Sequence, residues 1–330
     1  MTRIINRVAI IGTGVIGASW AALFLAKGLE VVATDVAPNA EASLKRFIEA
    51  AWPALTRLGL APGASQANLK FVADLPLAIK DADFVQENGP ERIDFKRKLY
   101  GQLDELLPAD VIIASSSSGL TMSEIQVGAL HHPERCVIGH PFNPPHLIPL
   151  VEIVGGAKTS EDTIRQASDF YTSLGKRTIR LHKELPGHVA NRLQAALGRE
   201  VYYLVAEGVV SVADVDTAVC WGPGLRWGVM GQVLLNHLGG GQGGIEHFFD
   251  QFAAPLTAWW KVLGSVELTP ETRQKLIEGL HAEVGARSID EMSAQRDEVL
   301  LGLLELRAKS ETPSVVPGKA VCVGAMAARQ

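Results

Sequence analysis

The sequence predicts an α/β protein, with a doubly wound, mainly parallel sheet followed by a smaller all-α domain. Three observations predict it. Short apolar runs alternate with helix-like segments through the first half of the chain, a glycine triplet sits where the first strand turns into the first helix, and after Pro186-Gly187 strand signals give way to helical periodicity.

Taken in order, Val8, Ala9, Ile10 and Ile11 form the first strand and lead into Gly12-Thr13-Gly14-Val15-Ile16-Gly17. Ala18, Ala21, Ala22 and Leu25 follow at helical spacing, and Val31, Val32 and Ala33 form the second strand, ending at Asp35. Leu44, Ile48, Ala51, Trp52 and Leu55 share one side of a helix over 41–60, and the break at Pro62-Gly63 predicts a helical hairpin there. Strands follow at 69–72, 82–86, 111–114 and 136–139, separated by helices that include 94–107 and 123–129. Late strands at 150–154 and 177–181 extend the sheet. Val189, Leu193, Leu197, Val201, Leu204 and Val205 line one face of a long helix, and further helices are expected at 212–220, 231–237, 244–252, 270–285 and 289–309. The expected domains are 1–184 for the sheet, 185–310 for the helices, and 311–330 as an irregular extension broken by Pro313 and Pro317.

With 330 residues, 47% hydrophobic and 20% charged, the chain can bury a large core and divide into two domains. A net charge of −5 and a pI near 6.0 provide no general attraction to nucleic acid or anionic lipid, so neither is an expected partner. Cys136, Cys220 and Cys322 are few and widely spaced, which suits reduced thiols in the cytosol. The first strand begins within a few residues of Met1, leaving no room for a signal peptide, and no apolar stretch reaches the length of a membrane span. A cytoplasmic protein is expected. No His or Cys spacing matches a metal site, so no metal is expected.

The glycine triplet carries the first functional signal. Gly12 permits the tight turn, Gly14 lets backbone amides approach a pyrophosphate at the helix start with Val15 and Ile16, and Gly17 lets the helix pack on the sheet. This is a Rossmann-type dinucleotide site. Asp35 can accept both ribose hydroxyls and would repel a 2′-phosphate, and Val36-Ala37-Pro38-Asn39 contains no Arg to offset that repulsion. NAD, not NADP, is the expected cofactor.

Polar residues just after each strand face such a cofactor. Four clusters qualify: Gln86-Glu87-Asn88-Gly89-Pro90-Glu91 with Lys96, Ser115-Ser116-Ser117-Ser118-Gly119, His140-Pro141-Phe142-Asn143-Pro144 with Glu152, and Pro186-Gly187-His188-Val189-Ala190-Asn191-Arg192. An imidazole backed by a carboxylate moves a proton to or from an alcohol oxygen, and His140 and Glu152 are spaced for a turn and a return on the adjacent strand.

In this order and spacing the motifs resemble the L-3-hydroxyacyl-CoA dehydrogenase family, over nearly the full length except the final twenty or so residues. The resemblance implies that His140 is the general base and that Glu152 orients it and stabilises its charged form. It implies that Ser118 and Asn191 hold substrate oxygens, with Ser118 also facing the cofactor. It implies further that Asn143, Glu91 and Lys96 lie along the nicotinamide and its ribose.

The expected substrate rests on two departures. Acyl-CoA members carry a lysine-rich helical hairpin, whereas 46–70 here has Arg57 as its only basic residue between the ends. Arg226, in Gly222-Pro223-Gly224-Leu225-Arg226-Trp227-Gly228, offers a guanidinium that a free carboxylate requires and a thioester does not. An Arg followed by an aromatic resembles the family branch acting on free 3-hydroxy acids. L-carnitine is the first expectation, because Trp221 and Trp227 can receive a trimethylammonium on their ring faces. Carnitine-acting members tend to carry an acidic residue where this chain has Asn191, so L-gulonate and a 3-hydroxyacyl thioester stay open as substrates. A crystallin-like or sensory dinucleotide-binding protein is the non-enzymatic alternative. A homodimer through the helical domain is also implied.

Overall fold

The computed structural model describes residues 4–310; the expected extension at 311–330 and Cys322 lie outside the described residues. Strand β1 (Arg7–Ile11) leads through the glycine turn into α1 (Val15–Ala26), and the chain continues as β2 (Glu30–Thr34), α2 (Ala40–Leu58), β3 (Leu69–Phe71), α3 (Leu75–Ile79) and β4 (Phe84–Glu87). It then runs through α4 (Ile93–Leu106), β5 (Ile112–Ser115), α5 (Met122–Ile125), β6 (Cys136–Pro141), β7 (Leu150–Gly155), α6 (Glu161–Ser173) and β8 (Arg177–Leu181). The eight strands form one sheet in the order β3-β2-β1-β4-β5-β6-β7-β8. Every pairing is parallel except β6 with β7, where a short loop lets the chain reverse directly.

The inner strands of the sheet are buried on both faces, which is why they read as continuous apolar runs. Alternation within a strand divides the core. Val8 and Ile10 face Trp20, Phe24 and Leu25 of α1 and Phe170 and Tyr171 of α6, whereas Ala9 and Ile11 face Leu99, Tyr100 and Leu103 of α4 with Met122 and Ile125. Buried Cys136 belongs to this second layer, and burial pushes its thiol up to about 12, so it behaves as a small apolar side chain; Cys220 is exposed.

One expectation fails here. The helical hairpin after 41–60 does not form: α2 ends at Leu58, and the chain returns to β3 through a loop and the single 3₁₀ turn Gln66–Asn68. Gly59 and Gly63 adopt φ of 101° and 80°, which no helix accommodates, and Pro62 has no N–H for a helical bond. The amphipathic helix α6, with Ile164, Ala167, Phe170 and Tyr171 buried, adds an element to those expected.

Beyond β8 the chain is helical: α7 (Ala190–Ala206), α8 (Val212–Trp221), α9 (Pro223–Trp227), α10 (Gln232–Gly239), α11 (Gly244–Trp260), α12 (Pro270–Val284) and α13 (Ile289–Ser310). Helix α9 is a single turn begun by Pro223, in a segment for which the sequence offers no periodicity. Contacts group the described chain into two compact units: residues up to 216 with 256–285, and 217–255 with those from 286 on. In the first unit α12 lies on α7, and Lys275 Nζ donates to the Ala206 carbonyl at 2.6 Å. In the second, an Arg307 N–H donates to the Gly228 carbonyl at 3.0 Å. Among the described residues no helix is long and apolar enough to cross a membrane, and no His, Cys, Asp and Glu group is placed to hold a metal ion.

Candidate active site

The turn from β1 to α1 shows what each glycine does. Gly12 takes φ 84°, and a Cβ there would lie 2.7 Å from the Asn88 carbonyl oxygen; a Cβ on Gly17 would lie 1.9 Å from the Gly12 carbonyl oxygen. Gly14 differs, because beyond its two neighbours in the chain nothing of the protein lies within 4 Å of its Cβ position. The first turn of α1 therefore opens toward free space with its amides unencumbered, as close approach of a pyrophosphate demands. Val15, at the start of that helix, is 62% exposed, and Ile16 is partly buried against the core.

Asp35, just beyond β2, accepts Thr13 N at 2.6 Å and Thr13 Oγ1 at 3.0 Å on one oxygen and Ala37 N at 2.8 Å on the other. Burial pushes its carboxyl up, and these bonds more than offset that push, holding it below its ordinary range. The result is an ionised carboxylate beside the glycine turn. These residues fit a dinucleotide whose ribose carries free hydroxyls.

At the ends of β4 and β5 two carboxylates divide the work. Glu87 is fully buried and accepts Lys96 Nζ on both oxygens at 2.8 Å, Gly89 N at 2.6 Å and Ser115 Oγ at 2.6 Å. Lys96 is itself 1% exposed, so its ammonium is spent on Glu87, with the Gly89 carbonyl at 3.5 Å and Glu91 Oε2 at 3.7 Å. Glu91 Oε1 gathers the serine loop, accepting Ser117 Oγ at 2.6 Å, Ser118 N at 3.0 Å, Gly119 N at 2.7 Å and Leu120 N at 3.2 Å. Burial raises the Glu91 carboxyl, and these donors with Lys96 outweigh it and keep it ionised.

The serine loop delivers Ser118, whose Oγ lies 3.1 Å from His140 Nε2. The other ring nitrogen, Nδ1, lies 2.8 Å from Glu152 Oε2. Strand register produces this contact: His140 and Glu152 stand directly opposite each other in the antiparallel β6–β7 pair and so share one face. The second oxygen of Glu152 accepts Val189 N at 2.8 Å and Ala190 N at 3.0 Å, the amides of the N-cap and of the first residue of α7. Burial pushes the Glu152 carboxyl up; the His140 bond and the two amides more than offset it. An ionised carboxylate can only accept, so Nδ1 carries the hydrogen and Nε2 presents its lone pair toward Ser118. That arrangement accepts a proton at Nε2 and stabilises the imidazolium that results.

His188 belongs to one of the four predicted clusters, and the sequence assigns it no role. Its φ is 49°, its ring centroid is 4.9 Å from that of His140, and its Nε2 donates to the Ser117 carbonyl at 2.9 Å. Burial, first, pushes its pKa down, keeping it neutral beside His140. Asn191 follows the two amides on α7 and is half-buried, and Asn143 is exposed at the start of the loop after β6. Arg226, Trp221 and Trp227 all lie in the second unit and are exposed, with Trp227 Nε1 donating to Gln232 Oε1 at 2.6 Å.

The chain is similar to known proteins. The model of the 3-hydroxyacyl-CoA dehydrogenase NAD binding domain matches residues 7–185, and that of the 3-hydroxyacyl-CoA dehydrogenase C-terminal domain matches 187–294. An L-carnitine dehydrogenase of Nocardiopsis dassonvillei is 48% identical over 299 residues, 91% of this chain and 91% of its own. One from Pseudomonas putida is 47% identical, over 91% of this chain and 94% of its own. Among solved structures, 5-formyl-3-hydroxy-2-methylpyridine 4-carboxylic acid 5-dehydrogenase, an NAD+ dependent dismutase, superposes with a TM-score of 0.78 at 32% identity, covering 93% of this chain and 98% of that one.

Proposed function

We propose, because the chain belongs to the 3-hydroxyacyl-CoA dehydrogenase family, that it is an NAD-dependent dehydrogenase oxidising the 3-hydroxyl of L-carnitine to the ketone, 3-dehydrocarnitine. The observation that carries the chemistry is the imidazole of His140 held between Glu152 at 2.8 Å and Ser118 at 3.1 Å. The substrate rests on the relatives, two of which are L-carnitine dehydrogenases at 47% and 48% identity over most of both chains.

Gly12, Gly14, Val15, Ile16 and Gly17 would hold the pyrophosphate of NAD and Asp35 its ribose, and the bound cofactor would supply the hydride acceptor. His140 Nε2 takes the hydroxyl proton, and Glu152 stabilises the imidazolium and holds the tautomer that leaves Nε2 free. Ser118 Oγ and the Asn191 amide fix the reacting oxygen and the carboxylate end. Asn143 and Glu91 would line the nicotinamide end of the bound cofactor, and Lys96 acts from behind, neutralising Glu87 and steadying Glu91. Arg226 pairs with the free carboxylate, and Trp221 and Trp227 receive the trimethylammonium. In this reading 1–184 is the cofactor domain and 185–310 the substrate and dimerisation domain of a cytoplasmic homodimer. Exposed Leu193, Tyr202, Trp259 and Trp260 support a helical interface.

Purified protein assayed with NAD against L-carnitine, L-gulonate and 3-hydroxybutyryl-CoA tests this. L-carnitine should give the highest kcat/KM, and Arg226→Ala should raise its KM about ten- to hundredfold, the loss of a charge-assisted bond to carboxylate. Turnover of the thioester alone, with Arg226→Ala leaving its KM unchanged, overturns the substrate. Tight NADH binding without turnover of any 3-hydroxy acid overturns the enzyme.

A further inference from the structure

The loop over 142–149 joins the strand of His140 to the strand of Glu152, and its middle is buried where a surface loop would be expected. Residues 144–147 are all buried. A buried loop must find partners for its backbone groups, and its internal bonds are few: Leu147 N and Ile148 N both donate to the Pro144 carbonyl, at 3.0 and 2.9 Å.

Further partners come from two distant segments. Lys176 Nζ donates to the carbonyls of Pro145 and of Ile148, the latter at 2.9 Å. Ser19 Oγ on α1 accepts His146 N at 2.8 Å and meets His146 Nδ1 at 2.7 Å. The lysine also lies over the next residue of α1, with Nζ 5.2 Å from the Trp20 ring centroid. Lys176 is held from its own side: its amide donates to the Tyr171 carbonyl at 3.1 Å, and the following Arg177 N donates to the Pro149 carbonyl at 2.8 Å.

We propose that Lys176 and the Ser19–His146 pair are positioning residues that fasten the 142–149 loop to α1, setting the His140–Glu152 hairpin and Asn143 in register with the dinucleotide-binding helix. This rests on the functional reading above. Ser19 lies two residues beyond Gly17, so the fastening ties the loop to the helix whose first turn faces the dinucleotide. A lysine 5% exposed and partnered by carbonyls and a ring is a poor device for stability alone, since an apolar side chain of that length would avoid its desolvation. Burial, with Lys27 adding a like charge, brings its amine down to about 7, and the neutral amine still has two N–H groups for its two carbonyls.

Lys176→Met keeps the unbranched stem of the side chain and removes the amine that makes both bonds; Ser19→Ala removes the other tie with a minimal change of volume. Three quantities are read in each: hydrogen exchange of the 142–149 peptide, NADH affinity by fluorescence, and kcat with L-carnitine. In Lys176→Met, exchange of the loop should rise at least about tenfold and kcat should fall about ten- to hundredfold, while the NADH dissociation constant moves less than about threefold. Ser19→Ala should show the same pattern, smaller, and decides the matter if the lysine variant does not fold. Unchanged loop exchange in a folded variant overturns the proposal, as does exchange that rises uniformly across the sheet with a parallel loss of NADH affinity. If the wild-type protein turns over no 3-hydroxy acid, the functional reading fails, and the loop exchange still decides the fastening.

Discussion

Glu152→Gln exchanges one oxygen for an amide nitrogen at a site with no room for the exchange to be neutral. Three donors converge on the carboxylate: His140 Nδ1 at 2.8 Å on one oxygen, Val189 N at 2.8 Å and Ala190 N at 3.0 Å on the other. Glutamine has one acceptor oxygen. If that oxygen stays with the two backbone amides, the NH₂ faces His140 and demands the tautomer with hydrogen on Nε2, which can no longer take a proton. If it turns to His140, the NH₂ opposes two N–H groups, leaving buried donors unsatisfied at about 1–3 kcal/mol each. The backbone amides cannot move without moving α7, so the first arrangement wins. Reversal of the tautomer in a backed imidazole costs on the order of 10⁴ in kcat. Loss of the anion alone removes at most about 4 kcal/mol of imidazolium stabilisation for charges about 4 Å apart at an effective dielectric of about 20. Both routes put the fall in kcat between about 10² and 10⁴, with NADH affinity retained. NADH formation followed by absorbance, with NADH titrated separately by fluorescence, reads both quantities. A Glu152→Gln enzyme turning over within about tenfold of wild type would refute the argument, because neither tautomer nor charge would then matter.

Gly14→Ala should leave thermal stability unchanged and weaken NADH at least about tenfold, because the added Cβ meets nothing of the protein and can clash only with a ligand; calorimetry and fluorescence titration check the two halves. Gly17→Ala should damage both, since its Cβ would sit 1.9 Å from the Gly12 carbonyl oxygen, and a stable variant with normal NADH affinity would contradict this geometry of the turn. Acid stability should follow Asp104, whose carboxyl is raised by burial but held lower overall by His131 N, Arg135 and His132 N. Its folded pKa lies below the ordinary 3.8, so its stabilisation is complete above that value and is lost as pH falls through the folded one. Asp104→Asn should therefore flatten the pH dependence of urea stability in that acid window; an unchanged slope there would rule this contribution out.

Legible in the sequence is what the backbone constrains locally. The glycine triplet, Asp35 and the change of periodicity at Pro186-Gly187 are short-range patterns, and the structure forms each as a local element. The His140–Glu152 contact is legible only as a spacing, because its realisation needs the register of two reversed strands. The burial of Lys96 cannot be read. A lysine on an amphipathic helix normally faces water, and only the fold shows that it points inward at Glu87. Lys176 and Ser19 escape for the same reason: their partners are backbone groups of a loop far away in sequence. The failed hairpin after α2 has its signal in view, since Gly59, Pro62 and Gly63 already forbid a second helix starting there.

The one antiparallel pairing, between β6 and β7, explains why the proton-handling groups gather where they do. In a wholly parallel sheet, consecutive strands are joined by crossovers, and the residues after each strand all emerge at one edge with no directly opposed partner. Reversing β7 places Glu152 opposite His140 across a single ladder step, both buried and on one face. The carboxylate is thereby delivered from behind, leaving the other edge of the ring toward Ser118. A carboxylate so buried needs further donors to stay ionised, and the start of α7 provides them through Val189 and Ala190. The left-handed turn at Gly187 and His188 precedes those amides and puts the His188 ring against that of His140. The charge that prepares His140 to receive a proton thus depends on how helix α7 begins, so substitutions at 187 and 188 should act on catalysis through Glu152 before they act on the ring itself.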